Sequence, residues 1–122
     1  MHRLEGGETM ADMKQTLDDF MKTMKQIGET DKDYSDAFKS FIQQAEKPGA
    51  LSTKVKTLIS LALGVKAQCP YCIAVHTYNA IKEGATRQEI MEAAFVAGFM
   101  GGGPSVAYIR YVIDACDQFG AK

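Results

Sequence analysis

At 122 residues, with 46% hydrophobic and 24% charged side chains, the chain has the size and make-up of one soluble globular domain able to bury a core. Its 14 Lys and Arg against 15 Asp and Glu leave a net charge of −1, which argues against nucleic acid or an anionic membrane as a main partner. No apolar run approaches the roughly 18 residues of a membrane span, no signal-peptide core follows the charged start, and an odd count of three cysteines points to a reducing cytoplasm rather than a disulfide framework.

Residues 1–8 carry no periodicity and are expected to form a disordered leader, with residues 9–122 as the single domain. Thr9 is a candidate cap for a first helix to about Ile27, with Met13, Leu17, Phe20, Met24 and Ile27 on one stripe and Gly28 as its stop. A second amphipathic helix is expected from about Asp31 to Ala45, its apolar face built from Tyr34, Phe38, Phe41, Ile42 and Ala45, and ended by Pro48-Gly49. Ser52 fits the cap of a third helix over about residues 53–66. Its centre, Leu58-Ile59-Ser60-Leu61-Ala62-Leu63, is apolar nearly all round, the signature of a helix buried in the fold or by a partner subunit.

A fourth helix starts at the cysteines and stops at Gly84, a good residue just past a helix end. Thr86-Arg87-Gln88-Glu89 reads as a capping box opening a fifth helix to about Met100. Gly101-Gly102-Gly103-Pro104 breaks it, and a last helix over about residues 105–118 carries Val106, Ile109, Val112, Ile113 and Cys116. No stretch alternates with the period of a strand. The expectation is an all-α, single-domain bundle of about six helices. Two nearly all-apolar helices in so short a chain point to a homo-oligomer.

The chemistry concentrates at Cys69-Pro70-Tyr71-Cys72-Ile73-Ala74-Val75-His76. On a helix, Cys72 lies about 60° around from Cys69 and His76 about 20°, so all three share a face. Cα atoms three apart on a helix are about 5 Å from each other, within disulfide range. His76 follows Cys72 by four residues and can reach its sulfur. Pro70 suits the first helical position, which makes Cys69 the cap and places both cysteines at a helix N-terminus, where thiolate is favoured. The helix end favours Cys69 as attacker by analogy with thioredoxin; the histidine favours Cys72, with Cys69 resolving, and this second assignment is preferred.

Other readings compete. The pair could be two core cysteines without chemistry. It could contribute to a structural zinc site, which needs a fourth ligand that only Cys116 or His2 could supply. Cys-Pro-Tyr-Cys is also the glutaredoxin tetrapeptide, but that fold needs strands around the motif and a later cis-proline segment, for which this chain has no pattern. Tyr78 and Tyr108 could line the site but more often pack in cores or interfaces. Cys116 reads as an inert core thiol, the Gly101–Gly103 run as a helix break, and Met10, Met13, Met21 and Met24 as packing. No cofactor and no metal are expected.

Beyond the tetrapeptide, Lys-Thr-Leu-Ile-Ser-Leu-Ala at 56–62, Cys69-x-x-Cys72-x-x-x-His76, Ala80, Glu83-Gly84-Ala85-Thr86, Glu89-Ile90, Glu92-Ala93 and Gly101-Gly102-Gly103-Pro104 together resemble the carboxymuconolactone decarboxylase superfamily, over roughly residues 48–118. Within it, the chain resembles the AhpD-like alkylhydroperoxidase branch. The resemblance implies an all-α bundle assembling as trimers or hexamers. It also implies a redox-active pair, Cys69 and Cys72, served by His76, that reduces peroxides or relays electrons to a peroxiredoxin, with a peroxiredoxin or a dithiol reductant as partner. The decarboxylating branch generally lacks the cysteine pair; in a lyase of that type His76 would be the acid/base. The branch pattern usually carries a glutamate twelve residues before the first cysteine, where this chain has Thr57, and Tyr71 stands where the peroxidase branch can have histidine. A thiol–disulfide oxidoreductase, or a peroxidase of low activity, therefore fits better than an efficient peroxidase.

Overall fold

The structure, a computed structural model, describes residues 10–122 and, before them, the backbone of a two-residue antiparallel pairing, β1 (Arg3–Leu4) with β2 (Gly7–Glu8). The rest of the expected leader, with His2 and Thr9, lies outside the described residues. Six helices follow: α1 (Met13–Thr30), α2 (Lys32–Glu46), α3 (Thr53–Lys66), α4 (Pro70–Lys82), α5 (Arg87–Gly101) and α6 (Gly103–Phe119). The fold is all-α, and none of the described helices is long and apolar enough to cross a membrane.

Local chemistry explains most of the helix ends. Asp12, not Thr9, caps α1, its carboxylate accepting from Gln15 N at 3.0 Å. The first turn of α1 is also satisfied from α6: Gln118 Oε1 accepts from Met13 N at 2.7 Å, and Asp114 Oδ2 accepts from Ala11 N at 3.1 Å. Asp114 is fully buried, and its other oxygen lies 3.2 Å from the Arg110 guanidinium. Gly28 does not stop α1. The helix runs on to Thr30, and Gly28 instead lets α2 approach, since a Cβ there would sit 3.4 Å from Ser35 Oγ.

Ser52 caps α3 and Thr86 caps α5, the latter in a complete capping box with Glu89, as their spacing predicts. Glu89 also pairs with Lys54 at 2.9 Å, tying the start of α5 to the start of α3. At the other end the Lys66 side chain lies against Gly101, so α3 and α5 run side by side in the same direction. Gly102 makes the α5–α6 break at φ +75°, ψ −162°, a conformation close to glycine-only.

The core lies between α3, α4, α5 and α6, with α1 packed against α4 and α6. Leu61 and Val65 of α3, Ile73 and Ala74 of α4, Ile90 of α5 and Val112 of α6 are fully buried there, with Met13 of α1. The helix that is apolar all round, α3, is central, yet it leaves Ile59 and Leu63 in the open.

Candidate active site

The link between α3 and α4 sets the position of the cysteines. The end of α3 closes in a Schellman motif: Gln68 N donates to Val65 O at 3.0 Å and Cys69 N to Gly64 O at 3.1 Å. Gln68 takes the left-handed position at φ 56°, which glycine normally fills. The chain therefore leaves α3 and enters α4 with almost no loop, and Cys69 becomes the cap of α4. Its sulfur accepts from Cys72 N at 3.1 Å, with Pro70 at the first helical position.

Cys69 and Cys72 are joined as a disulfide, their Cα atoms 5.3 Å apart, close to the separation that helical spacing predicts. Both residues are half-buried. Their environments differ. Cys72 and His76 open together onto a groove of about 340 Å³ between α3 and α4, walled on the α3 side by Ser60, Leu63, Gly64 and Ala67. Cys69 is not part of that lining and is linked to it through Cys72. Gly64 sets the depth of the site, because a Cβ on it would come within 2.9 Å of Cys72 Cβ.

His76 is half-buried, and desolvation lowers its pKa below the ordinary value of 6.5. Its imidazole is neutral at neutral pH, able to take a proton at the groove. Nδ1 is buried and has no protein partner. Thr57, at the position where the resemblance leads one to look for a glutamate, supplies no carboxylate. It is buried, and its hydroxyl is donated to Thr53 O at 2.8 Å.

The remaining candidates fall outside the groove lining. Tyr78 stacks edge-on against Phe119 at 5.5 Å, with Lys82 over its ring, and Tyr108 packs against Tyr111 at 5.1 Å. Tyr71, next to Cys72, is exposed. Cys116 sits in the core near the far end of α6, and burial pushes its thiol up to about 11. Among the described residues no three His, Cys, Asp or Glu side chains gather as a metal site. The groove walls Ser60, Leu63, Gly64 and Ala67 were not singled out by sequence reasoning. The lone glycine inside an otherwise apolar helix was the signal for close approach.

Comparison with known proteins places this site in a family context. The family model for carboxymuconolactone decarboxylases matches residues 32–115. The chain is 35% identical over 100 residues to uncharacterised protein 4 in the cox locus of Paracoccus denitrificans, covering 80% of this chain and 90% of that one. It is 30% identical over 110 residues to an uncharacterised protein of Cupriavidus necator, covering 90% and 97%. A carboxymuconolactone decarboxylase family protein of Legionella pneumophila superposes with a TM-score of 0.84 at 36% identity, covering 88% of this chain and 96% of that one. A Thermotoga maritima family protein, whose name carries a suggested involvement in antioxidative response, superposes at 0.74 with 24% identity, covering 84% and 90%, and so bears on the fold alone. With the matched segment spanning α2 to α6 and the site with them, the chain belongs to the carboxymuconolactone decarboxylase family.

Proposed function

We propose that the protein is a thiol-dependent redox enzyme of the cytoplasm that reduces peroxides or disulfides through Cys72 and Cys69. The observation that carries this reading is the shared opening of Cys72 and His76 onto one groove, with Cys69 within disulfide reach of Cys72. In the reduced enzyme, His76 takes the Cys72 proton and the thiolate attacks the substrate. With a peroxide, sulfur bonds to the outer oxygen, the O–O bond breaks, and the alkoxide leaves as alcohol with the proton from His76, giving a sulfenic acid. With a disulfide, the S–S bond breaks, one substrate sulfur leaves as a thiol with the proton from His76, and the other stays on Cys72 as a mixed disulfide. Cys69 then attacks Cys72 sulfur, expelling water or thiol and closing the 69–72 disulfide. An external dithiol then supplies two electrons, opening the 69–72 disulfide through a second mixed disulfide and leaving as its own disulfide; an oxidised peroxiredoxin is a disulfide substrate for the regenerated dithiol.

Thr57 supports disulfide exchange over fast peroxide turnover, since its hydroxyl is held by Thr53 and leaves His76 without an orienting carboxylate. The test is turnover of an organic hydroperoxide and of a small disulfide with a dithiol as reductant. Cys72→Ser is expected to abolish both. Full activity in that variant would overturn the reading and turn attention to lyase chemistry with His76 as acid/base.

A further inference from the structure

The groove holds one polar side chain besides Cys72 and His76. Leu63, Gly64 and Ala67 offer no side-chain donor or acceptor, which leaves Ser60. It is half-buried, and it is the single polar residue in the apolar run Leu58-Ile59-Ser60-Leu61-Ala62-Leu63. The packing of α3 against α4 sets where it stands. The chain reverses direction in the tight turn between these helices, and Gly64 lies against Cys72, where a Cβ would come within 2.9 Å of Cys72 Cβ. Ser60 is one turn back from Gly64 on α3, and His76 is one turn on from Cys72 on α4, each about 6 Å along its helix. Ser60 and His76 therefore face each other across the groove, one turn from the sulfur.

The Ser60 hydroxyl is donated to Lys56 O at 3.0 Å. Its hydrogen is thus committed to its own helix, and its lone pairs are left for the groove. Such back-bonding adds nothing to the helix, where alanine would be the better residue. Thr57 cannot take this part, because it is buried outside the groove lining. We infer that Ser60 is a specificity residue, whose Oγ accepts the O–H of a hydroperoxide and holds the terminal oxygen in line with the Cys72 thiolate. This deepens the redox reading and rests on it. His76, opposite, faces the inner oxygen. Sulfur bonds to the terminal oxygen, which keeps its hydrogen, and the O–O bond breaks. The electron pair leaves on the inner oxygen, which takes the proton that His76 removed from Cys72. A dialkyl disulfide has no O–H to offer, so Ser60 serves peroxide attack and not disulfide exchange.

The test compares two oxidants in a single turnover. The reduced full-length protein is mixed with tert-butyl hydroperoxide or with dimethyl disulfide, and closure of the 69–72 bond is followed as loss of free thiol. Ser60→Ala is expected to slow oxidation by the hydroperoxide about 3–10-fold, the worth of one neutral hydrogen bond, and to leave oxidation by the disulfide unchanged. The ratio of the two rates is the readout, because a structural disturbance of Cys72 or His76 would slow both. Ser60→Thr, which keeps a hydroxyl within reach of Lys56 O, is expected to restore the wild-type ratio. A ratio that is unchanged or moves the other way in Ser60→Ala, or that threonine does not restore, overturns the inference and leaves the redox reading standing. So does a wild type that reacts with the disulfide alone. A wild type oxidised by neither reagent overturns the redox reading, and this inference falls with it.

Discussion

Cys69 and Cys72 share one helical turn but not one environment. Cys69 caps α4, so its sulfur receives a backbone N–H, while Cys72 faces the groove with His76 beside it. Access and base therefore favour Cys72 as attacker, and the cap gives Cys69 a stabilised thiolate suited to resolve and to leave. Alkylation of the reduced protein, followed residue by residue against pH, separates the two roles. His76→Ala is expected to raise the apparent thiol pKa of Cys72 and to leave that of Cys69 nearly unchanged. An unchanged Cys72 value would mean that the helix end alone sets reactivity. Cys116 should stay unlabelled in the native protein, its thiol being buried and shifted to about 11. The half-buried imidazole also links stability to pH. Its folded pKa lies below the unfolded one, so the unfolded chain takes up the proton first as pH falls. Stability should be constant above about pH 6.5, drop as pH falls towards the lowered folded value, and level off below it. His76→Asn should remove that component, which thermal melts at several pH values would show.

At the scale of elements, the cysteines depend on how closely α3 and α4 approach and on how sharply the chain turns between them. Gly64→Ala would drive a methyl group into Cys72 Cβ. It is expected to cost about 1–3 kcal/mol in urea unfolding and to perturb Cys72 alkylation, whereas an unaltered protein would show that α4 can shift freely. At the turn, Gln68 holds a left-handed conformation that costs a side chain about 1–2 kcal/mol. Against the extra backbone entropy of glycine, Gln68→Gly should leave a net gain of up to about 1 kcal/mol; a loss would mean that the Gln68 side chain makes a contribution of its own. These two elements also mark what the sequence made legible. Ser52, Thr86 with Glu89, Pro70 and Gly84 each state a helix boundary through side-chain or backbone chemistry that acts within a few residues, and each stands where that chemistry puts it. The i+3 and i+4 spacing of Cys69, Cys72 and His76 is equally local. Gly28 misled because an isolated glycine marks either a helix stop or a close approach, and only the tertiary neighbour, Ser35, decides between them. Thr9 and Asp12 are equally good caps by residue type, and what fixes the start of α1 comes from Gln118 and Asp114 of α6, over a hundred residues away. The groove walls were hidden for the same reason, since they exist only where two helices meet.

For the whole molecule, the cysteine pair sits on a scaffold that does not depend on it. The 69–72 bond closes a loop of only a few residues, and short loops constrain the unfolded chain least. The helix that carries the pair is fastened elsewhere, by Ile73, Ala74, Thr77 and Ala80 buried among α1, α3 and α6. Breaking the disulfide removes a modest constraint from the unfolded state, roughly 2 kcal/mol on the chain-entropy estimate. It also frees the sulfur that caps α4, which still accepts the Cys72 N–H, and any thiolate form accepts it more strongly and offsets part of that loss. An enzyme that cycles between dithiol and disulfide needs this near balance, because a fold stabilised strongly by one state would resist turnover into the other. Reduction is therefore expected to leave the far-ultraviolet circular dichroism unchanged and to alter the unfolding free energy by no more than about 2 kcal/mol. Urea melts with and without a dithiol reductant, with Cys69→Ser/Cys72→Ser as the reference that can form no bond, measure the difference. Unfolding of the reduced chain, or loss of helix on reduction, would make the pair a structural bridge and remove the scaffold on which the redox chemistry rests.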